Sequence, residues 1–113
     1  MLDVVYRNAR GRLTELVGAL TSEQLRTPVP ATSAWTVHEL VAHLAGGAAD
    51  TASGRLDGAP GEGWTARHVG ERRQRPVYEL LAEWELVGPT VELSLTGVMS
   101  AAPIWPRTSS VTR

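Results

Sequence analysis

Apolar residues recur along this chain with helical spacing in three blocks. The first carries Leu2, Val5, Tyr6, Ala9, Leu13, Leu16, Val17 and Leu20, a sustained 3-4 repeat with charges on the opposite side. Gly11 weakens it without ending it. Thr21-Ser-Glu-Gln-Leu then marks a new cap and a short turn, closed by Pro28 and Pro30. In the second block Thr36 and Glu39 make a T-x-x-E capping box, so a helix is predicted from Val37 to about Ala52. Its core positions are Val37, Leu40, Val41, Leu44 and Ala48. Gly54, Gly58, Pro60, Gly61 and Gly63 make the next stretch a loop. The third block opens near Thr65, breaks at Pro76, and resumes with Val77, Leu80, Leu81, Trp84, Val87, Val91 and Leu95. Gly88-Pro89 should kink or split it. Nothing alternates with period two over a useful length, so no sheet is predicted.

The fold class that follows is all-α, an up-down helical bundle of three main helices whose fourth position is empty or filled by a partner. Residues 1–97 would form the bundle and residues 98–113 an irregular tail, with Trp105 between Pro103 and Pro106 as an exposed, adhesive indole. A bundle short of one helix should leave an apolar groove along Leu40, Leu44, Leu80 and Trp84. Such a groove favours a homo-oligomer.

His43 is the candidate for chemistry. At about 100° per residue it lies roughly 110° from the centre of its helix's apolar stripe, with Glu39, Gly47 and Asp50 on the same side. That is where a bundle interior meets a cleft, a usual place for a metal ligand between helices. From spacing alone, a boundary histidine that hydrogen-bonds a neighbour is the commoner reading. His38-Glu39-Leu-Val-Ala-His43 imitates the zinc-protease pattern H-E-x-x-H with one residue too many. Two histidines five apart diverge by about 140° around a helix, so one ion cannot take both. His38 is read as a solvated surface residue. Trp35, Trp64 and Trp84 are read as packing anchors, and Tyr6 and Tyr78 have no convincing partner.

Composition narrows the choices. A chain of 113 residues with 42% hydrophobic and 20% charged residues is one ordinary globular domain. The absence of cysteine excludes disulfides, thiolate metal sites and a cysteine nucleophile. A net charge of -1 argues against nucleic acid as a partner. The cluster Arg67, Arg72, Arg73 and Arg75 is interrupted by Glu71, followed by Glu79 and Glu83, and reads as a solvated, salt-bridged helix face. No glycine loop has phosphate-cradling spacing, and no Ser-His-Asp arrangement can be argued. Without a charged leader or 18 consecutive apolar residues, the chain is expected to be cytoplasmic and to make no use of a membrane.

The run Thr32-Ser-Ala-Trp-Thr-Val-His-Glu-Leu-Val-Ala-His-Leu-Ala-Gly46 resembles the second-helix signature of the mycothiol-dependent maleylpyruvate isomerase family, within the DinB/YfiT-like four-helix metalloproteins. Pro28-Val-Pro-Ala-Thr, the stretch Asp50 to Asp57, Trp64 to Pro76, and Glu79-Leu-Leu-Ala-Glu-Trp-Glu85 agree in order, so the resemblance covers roughly Arg7 to Leu95. It implies that His43 is a ligand of a divalent metal, usually zinc. It also implies that the other protein ligands come from a fourth helix, which this sequence does not reach. It further implies mycothiol as a thiol cofactor, a small-molecule substrate, and an isomerase or transferase in which the ion lowers the thiol's pKa. Glu39 and Asp50 are the local groups that could assist His43; His68 matches no ligand position of the family. One matched ligand is not a zinc site, which needs three or four. Two readings stay open here: a metal-dependent enzyme of this family, or a shortened, catalytically inactive helical interaction module.

Overall fold

A computed structural model describes residues 1–100, apart from the side chains of residues 32–33 and 97–100. The expectations for Trp105 and for the tail from residue 101 onward lie outside the described residues. The elements in order are α1 (Leu2–Gly18), α2 (Ser22–Leu25), β1 (Pro28–Val29), β2 (Thr32–Thr36), α3 (Val37–Ser53), α4 (Glu62–Glu71) and α5 (Val77–Ser100). The chain is an all-α bundle of the DinB-like type with one small hairpin.

The caps follow the sequence. The Thr36 hydroxyl accepts from the Glu39 amide at 3.2 Å, and the Glu39 carboxylate accepts from the Thr36 amide at 2.9 Å. Thr21 and Gln24 repeat the box at the start of α2. Gly54, at φ 78°, takes the left-handed position that ends α3 and that a side chain would strain. The hairpin was not anticipated. Its β1 has two residues and pairs antiparallel to β2 through Pro28↔Thr36 and Val29↔Thr32, a span too short for any period-two pattern. The third sequence block becomes two helices, with α4 opening three residues before Thr65. α5 runs unbroken through Gly88-Pro89 and on to Ser100, past Leu95 where the helical period fades. Pro89 is exposed and so is Glu85, whose carbonyl loses its usual amide partner and can turn to water.

Helix α5 is central, packing against α1 on one side and α3 on the other, while α1 and α3 hardly touch each other. Val41, Ala45 and Ala48 of α3 meet Leu80, Leu81, Trp84 and Val91 of α5 in one core, which Val17 joins from α1. The Trp84 indole donates to the Tyr6 hydroxyl at 2.7 Å, with the rings edge-on, so Tyr6 does have a partner. One turn further along, Arg10 forks to Glu85 at 2.7 Å and Glu92 at 2.5 Å. Arg10 and Glu92 are only 5% and 8% exposed. The guanidinium lies across Gly88, where a Cβ would come within 2.7 Å of Arg10 Cζ. Burial depresses the arginine's affinity for its proton, but its bond to Glu92 and the charge of Glu85 outweigh it and raise its pKa.

The apolar groove keeps three of the four residues the sequence assigned to it, Leu40, Leu44 and Trp84, and loses Leu80. Leu80 and Trp84 are buried, because α5 is covered from both sides. The open apolar surface runs between α1 and α3, along Leu13, Leu16, Leu20, Leu40 and Leu44, with Trp84 at its floor and a volume of about 210 Å³. Leu16 there is 63% exposed. None of the described helices is long and apolar enough to cross a membrane.

Candidate functional site

Helix α3 places His43, Gly46, Gly47 and Asp50 along one side, and α4 crosses that side closely. Gly46 permits the approach: a Cβ there would lie 2.6 Å from His68 Cβ and 2.7 Å from His68 Cγ. His68 is 0% exposed and Asp50 3%. Asp50 Oδ2 accepts from His68 Nε2 at 2.9 Å and also from the Arg67 guanidinium. On the other edge of the imidazole, His68 Nδ1 faces His43 Nδ1 at 3.3 Å. The result is a continuous row, Arg67–Asp50–His68–His43, running from the end of α3 to its middle.

Aromatic rings fix the row in place. Trp64 stands edge-on to His68 with centroids 4.3 Å apart, and its indole donates to the Arg55 carbonyl at 3.2 Å. Trp35 and Trp64 stand edge-on to His43 at 5.4 and 6.2 Å. Both tryptophans therefore flank the histidines as well as packing. Arg72 locks α4 to α5 through a bidentate pair with Glu83, both bonds at 2.8 Å. The arginine cluster is salt-bridged as expected, but Arg72 is buried rather than solvated.

His43 is half-buried and lines a cavity of about 210 Å³ with Tyr6, Leu44, Gly47, Thr51, Trp64 and Trp84. This cavity shares Leu44 and Trp84 with the apolar groove between α1 and α3, so the histidine sits beside that groove. A wider cavity of about 610 Å³ lies next to Trp35, lined by Glu39, Glu62, Thr65 and Arg73. It does not include His43.

Burial, followed by the neighbouring His68, lowers the pKa of His43. Burial pushes the Asp50 carboxyl up, but the bonds from His68 and Arg67 outweigh it and hold the carboxyl below its ordinary value. The bond to Arg72 lowers Glu83 against a smaller opposing effect of burial. A carboxylate depressed in the folded state stabilises the fold above its ordinary titration range and loses that contribution as pH falls. Thermal stability should therefore drop as pH falls from about 5 through the folded-state values of Asp50 and Glu83. Melting curves of Glu83→Gln should show a shallower acid limb than wild type; parallel limbs would contradict this.

The sequence placed His43 and Asp50 correctly on one side of α3, but Glu39 is spent on the helix cap. His68 was set outside the site, and the structure brings it to the centre. His38 is not a solvated residue: it is partly buried and its Nε2–H donates to the Arg75 carbonyl at 2.7 Å. A signal for the missing part was available. Trp64, Arg67 and His68 fall at i, i+3 and i+4 on one face of α4, and Gly46-Gly47 is the pair of small residues that admits a second helix.

The model of the mycothiol maleylpyruvate isomerase N-terminal domain family matches residues 6–113. The chain belongs to this family. No curated protein and no solved structure shows significant similarity to it. For the mycothiol maleylpyruvate isomerase family the divalent ion is the expected resident. Among the described residues, no group of three histidine, cysteine, aspartate or glutamate side chains converges. Both nitrogens of His68 and the carboxylate of Asp50 are committed to each other, to His43 and to Arg67. Of the four histidine ring nitrogens in the row, His43 Nε2 is the one without a partner among the described residues. The described residues thus do not fit a zinc ion by themselves.

Proposed function

We propose that this chain is the helical scaffold of a mycothiol-dependent isomerase or transferase, contributing a single nitrogen, His43 Nε2, to a divalent-metal site. The supporting observation is the geometry of His43. It lines a cavity beside the α1/α3 groove, and its ring has one nitrogen tied to His68 and the other without a partner among the described residues. A ligand set that is one nitrogen deep gains little from binding an ion, because the remaining coordination positions stay with water. The chain alone therefore binds zinc weakly, and the other ligands come from outside the described residues.

Calorimetric titration with zinc, beside His43→Ala, tests this. The expected result is weak binding in wild type that is weaker still in the variant. Tight one-to-one binding would mean that the chain holds a complete site. Equal, weak binding in both would reduce His43 to a boundary residue.

The second reading, a catalytically inactive helical interaction module, draws support from the open apolar surface at Leu13 and Leu16. The titration separates the two, since a module without a metal role predicts no effect of His43→Ala.

A further inference from the structure

We propose that His68, held by Asp50, is a positioning residue that fixes His43 as the tautomer protonated on Nδ1 and leaves His43 Nε2 bare. An ionised carboxylate can only accept hydrogen bonds. Asp50 accepts at 2.9 Å from the Nε2 of His68, so that nitrogen carries a proton. The two Nδ1 atoms facing each other at 3.3 Å need one proton between them. Two bare nitrogens would repel through their lone pairs, and two N–H groups would collide.

Proton counting on neutral rings decides which one holds it. Asp50 is already matched by Arg67, and Arg55 Nη1 lies 3.9 Å from its other carboxylate oxygen. Arg72, which caps the end of α4, lies near the His68 backbone carbonyl and is paired with Glu83. The carboxylate of the row is thus already matched by a guanidinium. A neutral His68 satisfies both of its hydrogen bonds. Its Nδ1 is then the acceptor, and His43 Nδ1–H is the donor. A neutral imidazole has one proton, so His43 Nε2 has none.

An unconstrained histidine divides its population between two tautomers, and any metal ion or N–H donor approaching Nε2 can use only one of them. The Asp50–His68 pair selects that one in advance, while Trp35 and Trp64 hold the ring plane. Outer partners of this kind orient a ligating imidazole and raise its basicity. The use of the bare nitrogen rests on the proposed metal role, but the tautomer does not.

The test is a long-range proton–nitrogen correlation spectrum of the three histidine rings in the 15N-labelled chain at pH 8, without metal. His43 should show a protonated Nδ1 and a bare Nε2. In His68→Phe, which keeps a ring between Trp64 and Gly46, His43 should shift to a mixture of both tautomers. Asp50→Asn, whose side-chain carbonyl can still accept from His68 Nε2, should keep the wild-type tautomer. A wild-type His43 protonated on Nε2 overturns the proposal, as does an unchanged tautomer in a folded His68→Phe. If that variant does not fold, the wild-type spectrum decides alone. Zinc binding independent of His43 would defeat the metal role and leave the tautomer standing.

Discussion

Glu92→Leu should cost the chain roughly 3 kcal/mol, read from urea unfolding, against a loss near zero for a typical exposed glutamate. The change leaves Arg10 buried beneath α5 with Glu85 as its one strong partner, and Glu85 is largely in water. Breaking a buried ion pair from one side typically costs about 3–5 kcal/mol, and the surviving Glu85 bond puts this case at the low end. Arg10 has no slack to compensate, since its Nε is already buried without a partner. The double variant Arg10→Met, Glu92→Leu should recover part of the loss, because an apolar pair carries no stranded charge. A double variant less stable than Glu92→Leu would show that the pair matters for its shape over Gly88 rather than for its charge.

Gly46→Ala should cost about 1–3 kcal/mol, the usual range for forcing a methyl group into a packed contact. Its larger effect is local. The new Cβ would overlap His68 Cβ and Cγ and come within 2.9 Å of Arg72 Nη1, so α4 must move away from α3. That movement lengthens the Asp50–His68 and His68–His43 contacts together. Gly11→Ala, at a helical glycine with nothing within 4 Å, serves as the control and should be neutral or slightly stabilising. Urea unfolding of the two variants should therefore diverge in sign or by more than about 1 kcal/mol. Equal stability would mean that the α3–α4 contact is looser than described.

The helices were legible because their determinants are local. Thr36 with Glu39 and Thr21 with Gln24 announce their caps within four residues, and the stripe of α3 repeats at fixed spacing. The side of α3 that carries His43 and Asp50 followed from the same arithmetic. What the sequence hid depends on neighbours far along the chain. His68 joins the row only because Gly46, 22 positions earlier, lets α4 approach, and that distance is invisible to any periodic pattern. Arg10 reads as the polar side of α1, yet it is buried because Gly88 of α5 makes room for its guanidinium. The apolar groove was legible in part: Leu40, Leu44 and Trp84 line it, while its wall from α1 was missed for a related reason. Periodicity identifies an apolar face but not which of two faces the central helix will cover. Trp84 is covered, and Leu16 is left open.

The central claim is that His43 offers one nitrogen beside the α1/α3 groove and that the chain alone does not complete a zinc site. Metal analysis tests it most directly, on chain purified without metal-affinity resin, equilibrated with zinc and then dialysed against a weak chelator. The account predicts well under one zinc per chain after dialysis, and before dialysis a higher zinc content in wild type than in His43→Ala. One zinc retained per wild-type chain, and lost in His43→Ala, would contradict it.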